Sequence, residues 1–307
     1  MFEPACAGDR TALARLLSIV EQGGEPARIA AQLAWPRGGG GYTVGITGAP
    51  GAGKSTLTDR LITVARGGDA EVAVLAIDPS SPYSGGAILG DRVRMGDHYV
   101  DSGVFIRSMA TRGHLGGLAV AAPAAVRVLD AVGFPWVLLE TVGVGQVEVD
   151  IAGAADTTVV VVNPGWGDAV QANKAGLMEI ADIFVINKAD RVGAAETERD
   201  LLGMLELSSL GHDDWYPPVV RTVAADGSGV GELWDAVLRH RAHITADGSL
   251  QRRRDARLRS EVARLVQVEL ERRSLAVLES DEGASVLAAV TAREVDPETA
   301  AARLAGL

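Results

Sequence analysis

The chain has 307 residues, 47% hydrophobic and 22% charged, with a formal net charge of −11 and a single cysteine. That length suits one large domain with appendages, or two domains, and the composition is that of a globular chain with a real core rather than a disordered or fibrous one. The acidic balance argues against non-specific nucleic-acid or anionic-membrane binding, and Cys6 alone can make neither an internal disulfide nor a zinc cluster, which favours a reducing, cytoplasmic setting.

The N-terminus has neither a basic start nor a long apolar run, so no signal peptide or transmembrane helix is expected. Asp9 stands directly before Arg10–Val20, where Leu13, Leu16, Leu17 and Val20 share one face, and it reads as the N-cap of a helix. The stretch Trp35-Pro-Arg-Gly-Gly-Gly-Gly41 is too glycine-rich for regular structure and reads as a linker. Residues 1–40 are therefore expected to form an N-terminal helical arm and linker, residues 41–242 the main domain, and residues 243–307 a helical extension. Strand candidates follow at 43–47, 72–77, 104–107, 136–139, 157–162, 183–186 and 219–223, most of them continuous β-branched or apolar runs that read as strands buried on both faces. Helical patterns lie between, at 117–131, 170–180 and 196–208. Such alternation predicts an α/β fold, a mainly parallel sheet flanked by helices, whose ligands collect at the C-terminal strand ends.

The first strand runs into Gly48, Ala49, Pro50, Gly51, Ala52, Gly53, Lys54 and Ser55, which fill every fixed position of a P-loop, and then into Thr56 and a helix. Glycines let backbone N–H groups close around phosphate oxygens, the helix start adds positive potential, and Lys54 brings a mobile cation. Ser55 can offer its hydroxyl to Mg²⁺. Acidic residues stand near the ends of other strands: Asp78, Asp91 and Glu140. Glu140 occupies a Walker-B-like position, and Gly143 beyond it can bring an N–H to a γ-phosphate. With Ser55 these carboxylates can hold Mg²⁺ directly or through water, although Asp91 reads equally well as a helix cap.

The strand at 183–186 leads into Asn187-Lys188-Ala189-Asp190, an Asn-Lys-x-Asp pattern in which the carboxylate accepts from the guanine N1–H and 2-amino group, donors adenine does not present in that arrangement. A backbone N–H of Val223, Ala224 or Ala225 can meet the guanine oxygen. GTP is therefore expected over ATP. His240 and His243 read as an exposed pair rather than a chelate, for lack of companions at ligand spacing. The run Arg252-Arg253-Arg254 reads as a solvated helix face, and Asp296-Pro297 as the cap and first residue of a last helix.

Gly48 to Thr56, Asp78-Pro-Ser-Ser-Pro82, Gly90-Asp91-Arg92, Phe105 to Gly117, Glu140-Thr-Val-Gly-Val-Gly-Gln146 and Gly176 to Asp182 together resemble the MeaB/ArgK family of G proteins, which has a human member, MMAA. The likeness runs from Gly8-Asp9 to the terminal Pro-Glu-Thr-Ala-Ala. It implies a homodimeric GTPase that hydrolyses GTP to GDP, gates delivery of adenosylcobalamin to an acyl-CoA mutase, usually methylmalonyl-CoA mutase, and protects or rescues that enzyme. A kinase or transport ATPase, as the ArgK name suggests, is the alternative. The resemblance gives Lys54 and the loop amides to the phosphates, Ser55, Asp78, Asp91 and Glu140 to the Mg²⁺ region, and Asn187, Lys188 and Asp190 to guanine. It makes Gly165 to Lys174 a third switch and assigns no cobalamin site on this chain; the helices of the C-terminal extension read either as packing on the parent domain or as a dimerisation arm. Two positions depart from the pattern. Val223 stands where many families have serine, and Val144 follows Gly143 where Ras-like proteins have the water-orienting glutamine, so slow intrinsic hydrolysis is expected.

Overall fold

The computed structural model describes residues 1–79, 98, 100–111, 117–141, 153–165, 179–207 and 215–306, without the side chains of 78–79, 110–111 and 117–120. The helices are α1 (Phe2–Cys6), α2 (Arg10–Gln22), α3 (Gly24–Ala34), α4 (Lys54–Arg66), α5 (Gly117–Ala131), α6 (Ala194–Glu206), α7 (Val230–Ala246), α8 (Ser249–Leu278), α9 (Asp281–Thr291) and α10 (Pro297–Ala305). The strands are β1 (Tyr42–Gly48), β2 (Val72–Pro79), β3 (Val104–Thr111), β4 (Trp136–Thr141), β5 (Thr157–Val162), β6 (Ile183–Asn187) and β7 (Val219–Thr222). All seven join one parallel sheet in the order β3-β2-β4-β1-β5-β6-β7. Every predicted strand is present, and the fold is the expected parallel α/β sheet flanked by helices. The chain divides into two compact units, one ending at Arg257 and one beginning at Leu258.

In the first unit the two-residue period of each strand sorts its side chains between two layers. Val72, Val74, Leu138, Val159, Val161, Ile183 and Val185 meet Leu57, Leu61 and Ile62 of α4 and Leu233, Trp234 and Val237 of α7. On the opposite face Ala73, Leu75, Ile77, Val137 and Leu139 pack with α2, α3 and α5, and Val160, Val162, Phe184 and Ile186 pack with Leu201 and Leu205 of α6. Asp9 caps α2 through the amides of Thr11 (2.8 Å) and Ala12 (3.0 Å). The N-terminal helices are bound to the sheet by more than apolar contact, because Arg107 of β3 donates to the Ala14 carbonyl (3.0 Å), Ser18 Oγ (2.9 Å) and the Glu21 carboxylate (3.1 Å). The glycine-rich stretch begins with a 3-10 turn at Trp35–Arg37, and the Asp130 carboxylate accepts the amides of Gly39 and Gly41.

Below the sheet, at the N-terminal ends of β5 and β6, two buried carboxylates hold the start of α8. Asp156 accepts from the Thr43 amide (3.1 Å), from Arg254 (2.6 and 3.0 Å) and from Arg257. Asp182 accepts from the Thr158 amide (2.8 Å) and Arg253 (2.9 Å), with His240 Nε2 3.2 Å away. Burial alone would raise the Asp156 carboxyl; the bonds from Arg254 and the charges of Arg257 and Arg254 outweigh it and hold the pKa below its ordinary value. The same contest, won by His240, Arg253 and the Thr158 amide, lowers Asp182. Tyr42 joins this belt through Thr157 Oγ1 (2.7 Å), which also bonds His240 Nδ1 (2.8 Å), and burial pushes its phenol up to about 12.

Two readings of the sequence are corrected here. His240 is wholly buried and bonded, not half of an exposed pair, and Arg253 and Arg254 are ion-pair partners of buried aspartates rather than a solvated face. In both cases the partner lies on a distant strand, where local spacing gives no sign of it.

The second unit continues α8 into α9 and α10. Ser280 caps α9 through the Gly283 amide (3.1 Å), and Asp296 caps α10 through the Thr299 amide (2.9 Å) with Pro297 at the first turn, as the sequence predicts. No helix among the described residues is long and apolar enough to cross a membrane.

Candidate functional site

The site lies at the C-terminal ends of β1, β4, β6 and β7, where the parallel sheet sends its connecting loops. Strand β1 ends in Gly48, whose backbone passes so near β5 that a Cβ there would sit 2.0 Å from the Val161 carbonyl oxygen, at a φ of +131°. The loop then turns into α4 through Gly53 in a left-handed conformation, φ 89° and ψ 28°. The first amides of α4 have no partner within the helix and carry the positive end of its dipole, which suits an anion. Lys54 is 5% exposed. Its ammonium donates to the carbonyls of Gly48 (2.6 Å) and Ala49 (3.0 Å), so the cation is held at the rim of the loop.

Beside it, Ser55 Oγ donates to Glu140 Oε1 at 2.6 Å. Glu140 is 1% exposed at the end of β4, in register with Ile46 of β1. A hydroxyl and a buried carboxylate in contact at the end of a phosphate-type loop are a hard-oxygen pair, and that donor set fits Mg²⁺. Asp78 lies on β2, with its backbone paired to Ala110; its side chain, like Asp91, Gly143, Val144 and residues 166–174, lies outside the described residues.

On the other side of the loop, Asn187 is 2% exposed and joins three segments. Its Nδ2 donates to the Ala52 carbonyl (2.8 Å), while its Oδ1 accepts from Thr222 Oγ1 (3.1 Å) and the Ala224 amide (3.0 Å). Lys188, itself at φ 58°, donates through Nζ to the Gly51 carbonyl (2.6 Å). Asp190 is exposed at the loop's edge. The loop at 223–228 is closed by the Val223 amide on the Ser228 carbonyl (2.9 Å), and Arg60 of α4 donates to the carbonyls of Ala224 (3.2 Å) and Ala225 (3.1 Å). The structure thus brings together Gly48 to Ser55, Glu140, Asn187, Lys188, Asp190 and Val223 to Ala225. Arg60 was not singled out from the sequence, because it belongs to no motif.

A parallel sheet whose first strand, glycine loop and helix are bonded through a buried asparagine to a loop beyond the seventh strand defines a P-loop nucleotide-binding protein. The model of one family, the methylmalonyl Co-A mutase-associated GTPase MeaB, matches residues 13–279, and the chain belongs to that family. It is 51% identical over 299 residues to a candidate GTPase of Pyrococcus abyssi, covering 96% of this chain and 91% of that one. It is 37% identical over 251 residues to GTPase ArgK of Escherichia coli, covering 80% and 76%. Among solved structures, it is similar to a LAO/AO transport system kinase at a TM-score of 0.73 and 26% identity, over 99% of this chain and 95% of the other.

Proposed function

We propose that the chain binds and slowly hydrolyses GTP with Mg²⁺, and that it is a chaperone gating adenosylcobalamin loading of a B12-dependent acyl-CoA mutase, methylmalonyl-CoA mutase or a close relative, which it also protects or reactivates. The observation that carries the nucleotide part is Asn187, whose one side chain bonds both the phosphate-type loop and the 222–224 loop. Phosphate binding and base binding are thereby parts of one bonded unit. The mutase part rests on the family.

In this reading the backbone N–H groups of residues 48–56, Pro50 apart, and Lys54 hold the phosphates. Ser55, Asp78, Asp91 and Glu140 hold Mg²⁺, which when bound neutralises charge on the phosphate oxygens. Gly143 offers its amide to the γ-phosphate, and Asn187, Lys188, Asp190 and residues 223–225 read guanine. Residues 165–174 sense the nucleotide for the partner, which must contact the GTP and GDP states differently to be regulated by them. With Val144 after Gly143, phosphate release by the isolated protein is expected to be slow and to rise by at least about tenfold when the cognate mutase is added. Fast release without a partner contradicts the slow-hydrolysis reading. Isothermal titration that finds no mutase binding in any nucleotide state removes the chaperone role.

The second reading, a kinase or transport ATPase that phosphorylates a protein partner, draws on the likeness to the transport system kinase. It requires ATP to displace bound GTP in a competition assay and labelled phosphate to appear on an acceptor; the guanine reading expects neither.

The extension at 243–307 acts in this proposal as a dimerisation arm. Val262, Leu265, Val266 and Leu270 of α8 are all exposed at helical spacing, and such a row gains by being covered. Light scattering is expected to give a dimer that Val262→Asp with Leu265→Asp reduces to monomer; a monomeric wild type rules the arm out.

A further inference from the structure

We infer that Arg60 is a positioning residue for base recognition: from the helix that begins with Lys54, it sets the orientation of the 223–225 loop and so contributes to the discrimination between guanine and adenine. The inference rests on the guanine reading above and adds a residue outside its motifs.

The 223–225 loop needs a restraint from somewhere. Where many G proteins have a serine, this chain has Val223, which cannot hydrogen-bond through its side chain. The loop's ends are tied by Val223 to Ser228 and by Thr222, whose carbonyl accepts the Ala189 amide (3.0 Å). Its centre is held from two sides. Asn187 takes the Ala224 amide, and Arg60 takes the carbonyls of Ala224 and Ala225, one with Nε and one with Nη2. A planar guanidinium engaging two successive carbonyls fixes the tilt of both peptide planes, which a single point charge on a flexible stem does not. Peptide planes are rigid, so holding the Ala224 carbonyl also sets where the Ala225 amide points. Ala224 is 3% exposed, whereas Ala225 is exposed, and the restrained edge therefore runs from buried to accessible.

Arg60 shares α4 with Lys54. The loop that meets the phosphates and the loop that meets the base are consequently referenced to one rigid element, through Arg60 as well as through Asn187.

The test is equilibrium binding of GDP and ADP, read as a Kd ratio, for wild type, Arg60→Ala and Arg60→Lys, with thermal melting of each nucleotide-free protein. Because a site held by several polar bonds loses discrimination when one restraint is removed, Arg60→Ala is expected to weaken GDP by about tenfold while leaving ADP within about twofold. Arg60→Lys, able to reach one carbonyl at a time, is expected to fall between. Equal weakening of both nucleotides, or an unchanged ratio with GDP still preferred, overturns the inference while leaving the guanine reading standing. A wild type without guanine preference overturns both. A lowered melting temperature with an unchanged Kd ratio marks Arg60 as a plain structural staple and likewise overturns it.

Discussion

Gly53→Ala is expected to weaken nucleotide binding by about a hundredfold, the equivalent of about 3 kcal/mol. Two costs add. An L-residue held at φ 89° carries strain of about 1–2 kcal/mol. A Cβ at this position would also stand 2.4 Å from Asn187 Nδ2, and Asn187 has little room to yield because it is 2% exposed and its other side-chain atom holds Thr222 and Ala224. Displacing Nδ2 from the Ala52 carbonyl leaves a buried amide unsatisfied, at about 1–3 kcal/mol. Gly51→Ala is the control, since Gly51 also has positive φ, +72°, but a Cβ there meets nothing within 4 Å. It should lose only the strain, about tenfold in affinity. Equilibrium titration with a fluorescent GDP analogue decides: equal losses for the two variants would mean that the contact between Gly53 and Asn187 is unimportant.

Asp156→Ala is expected to be the most destabilising single change below the sheet, costing about 3–5 kcal/mol because it strands Arg254 and Arg257 against a buried site made for a carboxylate. For a unit of this size that is a drop in melting temperature of roughly 10 °C. The pH dependence follows from the lowered Asp156 pKa. The folded state holds the carboxylate charged more tightly than the unfolded chain does, so its contribution is complete above the unfolded value of about 3.9 and is lost as the pH falls through the lower folded value. The stability gap between wild type and Asp156→Asn should therefore be level from about pH 8 to pH 5 and narrow only below about pH 4. Urea titrations at several pH values test this, and a gap that is absent at pH 7 would falsify the assignment.

The sheet was legible because strands buried on both faces need apolar runs, and most of the seven announce themselves that way, as Trp136–Thr141 and Thr157–Val162 do. Much of the site was legible for a related reason. Loops that approach phosphate closely need glycine at set places, and a carboxylate at the end of a strand beside β1 lies next to the loop that β1 feeds, as Glu140 lies in register with Ile46 and within reach of Ser55. Arg60 had no such signature: a basic residue on a helix is ordinary, and its partners, the carbonyls of Ala224 and Ala225, are backbone atoms that every sequence possesses. The misread residues, His240, Arg253 and Arg254, fail in the same way. Their character depends on Thr157, Asp156 and Asp182, brought to them by strand order alone.

By itself, then, the amino-acid sequence determined the strands, the glycine loop at Gly48–Ser55 and the family, since those depend on local backbone demands and on long runs of matching residues. Only the tertiary structure decided that Asn187 bonds Ala52 to Ala224, that Arg60 holds the neighbouring carbonyls, and that the start of α8 is pinned to two buried aspartates. Those are contacts between segments far apart along the chain, and hydrogen bonds of that kind exist only once the parallel sheet has fixed which strand ends are neighbours.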